Sequence, residues 1–203
     1  MNGTAVENID EKTLLSQAET LMSENRWKDA TALLYPHHKE NSLSISAMDK
    51  LGYCYSRTKE YRKAISIYQQ LSEKQPGEGK WFYCTAYQYS AMKETQHAIE
   101  NYEKCLSVYP RWLKVFPNLA KLLKEAGALE QASKACQDGI DIYHAMKPDL
   151  QKKFSDSYCE LCSIKAKLIS GTNNDEAERL LKENIAYRPQ DQNAVRGRGD
   201  GEA

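Results

Sequence analysis

One interval organises this chain. Ala30, Ala64, Ala98 and Ala132 stand 34 residues apart. So do Ala18, Gly52, Ala86 and Ala120, a set of small residues, and Leu14, Met48, Phe82 and Phe116, a set of large apolar ones. Leu34, Tyr68, Tyr102 and Cys136 form a fourth set, and Pro76 and Pro110 mark two repeat ends. Recurrence in several independent positions is the mark of one supersecondary unit stacked on copies of itself. Each copy reads as a helix, a short turn and a second helix. The small residue of the first helix and the alanine of the second let the pair approach closely, and the larger residues fill the space between them. A bulky side chain at Ala64 would force the pair apart, at about 1–3 kcal/mol. The expected fold is all-α, a solenoid of antiparallel helix hairpins.

The period also divides the chain. Residues 1–10 are polar and read as a flexible N-terminus, and residues 11–146 hold four hairpin repeats. In the first repeat Pro36 is expected to end the second helix at Tyr35, because proline lacks a donor and clashes with the preceding turn. That leaves His37 and His38 in the link. After Met146 the period breaks: the next alanine in the key position, Ala177, lies 45 residues beyond Ala132. Asp149 to Ile169 has no breaker and reads as one longer helix, and Asp175 to Tyr187 as a last one. Residues 147–189 are thus a divergent fifth repeat. Residues 190–203 are glycine-rich without an apolar face and read as a disordered tail.

Composition excludes several functions. Lysine plus arginine number 28, as do aspartate plus glutamate, so no net charge draws the chain to nucleic acid or an anionic membrane. No apolar run is long enough for direct membrane insertion. The first residues have neither the basic nor the apolar region of a secretory signal. Cys54, Cys84, Cys105 and Cys136 sit in repeat helices, where a small hydrophobe packs well. Six unpaired thiols point to a reducing compartment, the cytoplasm, with the nucleus or cilium as alternatives. Cys159 and Cys162 are one close pair without the second pair or histidine that would complete a metal site. His37 and His38 likewise have no partners nearby in sequence. There is no G-x-S-x-G, no H-E-x-x-H and no glycine-rich phosphate loop, so no enzyme chemistry and no cofactor is expected.

Met48, Leu51, Gly52, Tyr55, Ala64, Tyr68 and Pro76 follow the pattern W-x2-L-G-x2-Y, A-x3-F, P, with methionine for tryptophan and tyrosine for phenylalanine. Over residues 11–191 the chain resembles the tetratricopeptide repeat family. The resemblance implies a right-handed superhelix of antiparallel hairpins whose first helices line a concave groove. It also implies a protein-protein interaction adaptor or scaffold. It places Asp49, Tyr53 and Arg57 of the second repeat in the groove, with Lys80, Tyr83 and Tyr87 of the third and Lys114, Lys121 and Lys124 of the fourth. Tyrosines offer rigid contact area with a polar end, and lysines offer charge without a fixed fork. The expected partner is a protein or peptide segment, acidic with apolar anchors, held within a multiprotein complex.

Two narrower readings compete. Lys80 matches one position of the family members that hold chaperone tails, which would make the chain a cochaperone-like regulator. Glu19, however, stands where that subclass carries asparagine, and it would repel a carboxylate. Leu51 to Tyr55, Arg57, Glu60, Tyr61, Ala64, Tyr68, Gln70, Leu71 and Pro76 resemble the early repeats of intraflagellar transport subunits. That resemblance implies a place in a ciliary complex.

Overall fold

The computed structural model describes residues 10–39 and 43–187, and every regular element among them is an α-helix. The chain divides into two compact units between Val108 and Tyr109. The first holds α1 (Glu11–Ser23), α2 (Trp27–Lys39), α3 (Ile45–Arg57), α4 (Tyr61–Lys74), α5 (Gly79–Ala91) and α6 (Thr95–Val108). Each of these packs on the next in order. The second unit holds α7 (Val115–Glu125), α8 (Leu129–His144), α9 (Pro148–Ile169) and α10 (Asn174–Tyr187), and there α9 touches α7 as well as α8 and α10.

The repeat is written into the turns as firmly as into the core. Asn25, Lys59, Lys93 and Gly127 each adopt left-handed backbone, with φ of 60°, 63°, 60° and 79°. They fall at the 34-residue step. After each one the next amide reaches back to a carbonyl five residues earlier: Arg26 to Leu21 at 2.8 Å, Glu60 to Tyr55 at 2.8 Å, Glu94 to Tyr89 at 2.9 Å and Ala128 to Leu123 at 2.9 Å. This is a Schellman closure, which satisfies carbonyls that the helix end would otherwise leave open. Glycine at 127 adopts the conformation freely, whereas Lys59 and Lys93 hold it against roughly 1 kcal/mol of steric cost.

The small-residue sets lie at the hairpin contacts. Ala30, Ala64, Ala98 and Ala132 are completely buried, as are Ala18, Ala86 and Ala120. A Cβ on Gly52 would lie 2.9 Å from the Tyr68 ring, so the aromatic of α4 occupies the space a side chain on α3 would need. Tyr68 in turn stacks on Trp81 of α5, centroids 6.4 Å apart, which carries the core of the first unit from one hairpin into the next. In the second unit Tyr143 stacks on Tyr158 at 4.2 Å, joining α8 to α9.

One boundary differs from expectation. Helix α2 does not stop at Tyr35: it continues through Pro36 to Lys39 and carries His37 into the interior. Proline costs a helix the bond to the carbonyl one turn back and crowds that carbonyl with its ring. Here Pro36 lies in the last turn, and the carbonyl it cannot serve belongs to Ala32, which is exposed. Burial holds the neighbouring His38 imidazole below its ordinary pKa.

Helix α9 starts with Pro148 in its first turn, where the fixed φ suits the helix. Helix α10 starts on an Asn173 side-chain cap. The Glu176 amide donates to Asn173 Oδ1 at 3.2 Å, and Asn173 Nδ2 donates to the Glu176 carboxylate at 3.0 Å.

Candidate functional site

The first unit presents a cavity of about 540 Å³ whose wall comes from α3, α4 and α5. Residues four apart on a helix share a face, so α3 brings Tyr53 and Arg57 to it, and α5 brings Tyr83 and Tyr87. Tyr53 and Tyr87 are 43% and 52% exposed, high for aromatic rings and enough to offer them to a ligand. Tyr83 is braced edge-on against buried Tyr102 at 5.6 Å. Arg57 lies over the Trp27 ring at 4.9 Å, and Trp27 meets Tyr53 edge-on at 5.6 Å. A guanidinium on an indole face is held by the ring quadrupole and keeps its donor edge open. Among the described residues no carboxylate forms an ion pair with Arg57.

The charge of this wall is one-sided: Arg57 and Lys59 line it and no aspartate or glutamate does. Asp49 and Lys80, also expected in the groove, pair with each other at 2.5 Å instead of facing outward unpaired. Lys80 also lies over Trp81, at 4.8 Å. Lys59, Tyr61 and Gln88 also line the wall, and Trp27 supports it through Arg57 and Tyr53, although none of the four is among the groove positions expected from the sequence. Their membership follows from hairpin contacts between residues distant in sequence.

The lysines of the fourth repeat have different surroundings. Lys121 and Lys124 line a cavity of about 590 Å³ in the second unit, together with Lys167. Glu125, Asp156 and Glu160 line it too, and Lys121 is tied to Glu160 of α9. Three cations against three carboxylates leave no net pull on an acidic ligand. Lys114 precedes α7, is exposed, and lines neither cavity.

Among the described residues no group of three or more His, Cys, Asp or Glu side chains is placed to hold a metal ion. No helix among them is long and apolar enough to cross a membrane. All six cysteines are free thiols, and Cys159 and Cys162 are both buried in α9. Burial, the largest cause in each case, lifts the thiols of Cys54 and Cys162 to about 11 and those of Cys84, Cys105 and Cys136 to about 12. The thiolate is the reactive form. An aromatic disulfide reagent at pH 8 is therefore expected to leave the buried Cys54, Cys105, Cys136 and Cys162 unmodified in the native protein while all six thiols react after unfolding in guanidinium. Rapid native labelling of any of these four would contradict the burial described here.

Comparison with known proteins matches two models, each described as "Tetratricopeptide repeat", to residues 46–77 and 86–111. A "Tetratricopeptide repeat protein 30 homolog" of Caenorhabditis briggsae is 36% identical over 72 residues, 36% of this chain. That match takes up 11% of the relative's length, so the chain aligns with a small part of a longer protein. "Intraflagellar transport protein 70A" of Danio rerio is 32% identical over 56 residues, 28% of this chain and 9% of that protein. Among solved structures, MamA superposes with a TM-score of 0.72 at 15% identity, covering 87% of this chain and 96% of that one. YrrB, described as "a TPR protein with an unusual peptide-binding site", superposes at 0.66 with 14% identity, covering 93% and 91%. At such identities the structures speak for the fold alone.

Proposed function

The chain belongs to the tetratricopeptide repeat family, and from that premise we propose that it is a protein-interaction scaffold that holds a peptide segment of its partner in the tyrosine-lined cavity of the first unit. One observation carries this reading. Five tyrosines from α3, α4 and α5 surround one opening whose charged residues are both cationic. Exposed aromatic rings fixed by neighbours give contact area at little entropic cost, and such anchors dominate peptide affinity. The partner segment is acidic with aromatic or apolar anchors. Its charge complement is Arg57 and Lys59, in place of the balanced lysines of the second unit. The solved YrrB structure, whose description names a peptide-binding site, supports the class of function without locating the site in this chain.

The test is selection of a phage-displayed library of random 12-residue peptides on the whole protein, followed by affinity measurement for the enriched peptide. Replacing both Tyr83 and Tyr87 with alanine is expected to weaken binding at least tenfold, as loss of interface anchors worth about 1.4 kcal/mol or more does. Helicity by circular dichroism should be unchanged. An enriched peptide that binds the double variant and the parent equally would place the ligand elsewhere.

A second reading rests on one relative. The 32% identity over 56 residues with "Intraflagellar transport protein 70A" supports membership of an intraflagellar transport complex in a ciliary compartment. Enrichment of a tagged chain at the ciliary base would support that placement, and uniform cytoplasmic signal in ciliated cells would remove it. The cochaperone alternative gains no support, since Glu19 is present and forms an ion pair with Lys50 at 2.7 Å.

A further inference from the structure

A second cavity of about 450 Å³ lies beside the tyrosine cavity, formed by the turn between α1 and α2, the start of α2 and the end of α3. Arg57 lines both. Tyr53 lines the first and Trp27 the second, and these two rings touch edge-on at 5.6 Å. The cavities thus adjoin at Arg57 and at the Trp27–Tyr53 contact. Their linings differ. The second has Trp27 as its one aromatic ring, and the Arg57 guanidinium lies over that ring, so nothing there matches the five tyrosines. Its polar character is one-sided. Arg26, Lys28 and Arg57 line it against a single carboxylate, Asp29. Asp29 is already engaged, accepting from Arg26 Nε at 2.8 Å, and Glu24 holds the same guanidinium at 3.2 Å. Among the described residues neither Lys28 nor Arg57 forms an ion pair.

Resting on the scaffold reading above, we propose that the segment held among the tyrosines continues past Arg57 into this second cavity and there sets an aspartate or glutamate on Lys28 and Arg57. The two linings divide the work. The tyrosines take the aromatic or apolar anchor, whose contact area the second cavity cannot supply. Lys59, Arg57 and Lys28 lie on the two walls without a carboxylate between them, a positive field that draws an acidic flank. Arg57 presents a planar fork while its face rests on the indole, so it binds a carboxylate without leaving Trp27. The partner is thereby specified by a pattern and not by composition alone. An extended chain advances about 3.3 Å per residue and the Tyr53–Trp27 step is 5.6 Å, so the acidic residue stands about two to four positions from the anchor. Lys28 lines the second cavity alone, which makes it the residue that reports entry.

The experiment uses the whole protein and the 12-residue peptide enriched on it from the random library, together with a copy carrying a photoactivatable diazirine residue next to the acidic position. Lys28→Glu is expected to weaken the peptide about fivefold at low ionic strength, as one exposed ion pair turned into repulsion does, and less at high ionic strength. Lysine in place of the acidic residue of the peptide should restore affinity for Lys28→Glu and lose it for the parent, a reversal that a merely structural effect would not produce. Lys12→Glu makes the same change of net charge on exposed α1, outside both cavities, and should bind like the parent. Photocrosslinks should fall on residues 25–29. Equal affinity of the parent and Lys28→Glu, crosslinks confined to α5 and α6, or an enriched peptide with no acidic residue near its anchor overturns the proposal. If such a peptide still depends on Tyr83 and Tyr87, the scaffold reading stands without it. If no peptide sensitive to those tyrosines is enriched, both fall together.

Discussion

Replacing Gly139 with leucine is expected to destabilise the second unit by at least about 2 kcal/mol, even though leucine is a far better helix former. Glycine in the middle of α8 costs roughly 1 kcal/mol relative to alanine, so propensity alone predicts a gain. Packing opposes it. A Cβ at position 139 would lie 2.6 Å from Leu161 Cδ1 and 3.0 Å from Phe116 Cβ. Leu161 is completely buried and Phe116 nearly so, which leaves neither side chain room to swing aside. Phe116 meets the new atom with its own Cβ, which moves only if α7 moves. Overpacking of this kind costs about 1–3 kcal/mol and sometimes more, and leucine adds three carbons beyond the one that already collides. For a unit of this size each 1 kcal/mol shifts the midpoint by roughly 4–8 °C, so melting should fall by roughly 8–16 °C. Gly139→Ala should show a smaller loss, propensity and collision working against each other. Gly77→Ala is the control, since a Cβ there would meet nothing within 4 Å. Thermal melts of the three variants decide the matter: a Gly139→Leu protein as stable as its parent would mean that α7 and α9 yield easily, and that glycine is not required by their approach.

That position also shows where the sequence stops being informative. Read locally, Gly139 is a weak point in a helix. Its actual role is set by Leu161, on a helix that departs from the repeat, so no period announces the contact. Where the period holds, much more is legible. The alanine and small-residue sets predict the buried hairpin contacts, and the spacing of Gly127 is shared by Asn25, Lys59 and Lys93, which take the same left-handed turn. Nothing about a lysine by itself suggests that conformation; only its place in the repeat does. Pro36 misleads for the opposite reason. Its local meaning is a stop, but a proline in the last turn leaves one exposed carbonyl unserved, which water can satisfy, and the helix runs on.

The groove residues divide along similar lines. Helical spacing was enough to bring Tyr53, Arg57, Tyr83 and Tyr87 to one cavity. It was not enough to show which charges are already answered. Asp49 and Lys80 are 31 residues apart and pair with each other, and Lys121 finds Glu160 at a separation of 39. Ion pairs between hairpins depend on how neighbouring helices stack, and Arg57, which has no carboxylate partner among the described residues, is distinguished from Lys80 and Lys121 only once its surroundings are known.

The second large effect is expected where a lysine is buried. Lys165 of α9 is 7% exposed, and its ammonium is held by Glu176 of α10 at 2.6 Å and by Gln137 of α8. Three helices therefore meet on one charge. Removing the partner of a buried charge costs more than removing the charge itself, because the ion left behind is desolvated without compensation. Glu176→Gln, which leaves the backbone amide of residue 176 on the Asn173 cap, should destabilise the unit by about 2 kcal/mol, below the usual loss for a fully buried pair because the Glu176 side chain is 30% exposed. Lys165→Met should be nearly neutral: the apolar stem is replaced in kind, and the carboxylate it leaves can reach water. The hydrogen bond from Lys165, and then its charge, holds the Glu176 carboxyl below its ordinary value of 4.5. A carboxyl depressed in the folded state contributes stability that is present above its unfolded pKa and lost as pH falls through the folded one. The parent should therefore lose more stability than Lys165→Met as pH is lowered from 5 through 4.5 and below. Urea midpoints for the parent and both variants at pH 7 and at pH 4 test the order and the sign together. If Lys165→Met proves the more damaging change at pH 7, the ammonium is a net stabiliser of the three-helix contact, and the desolvation reasoning fails at this site.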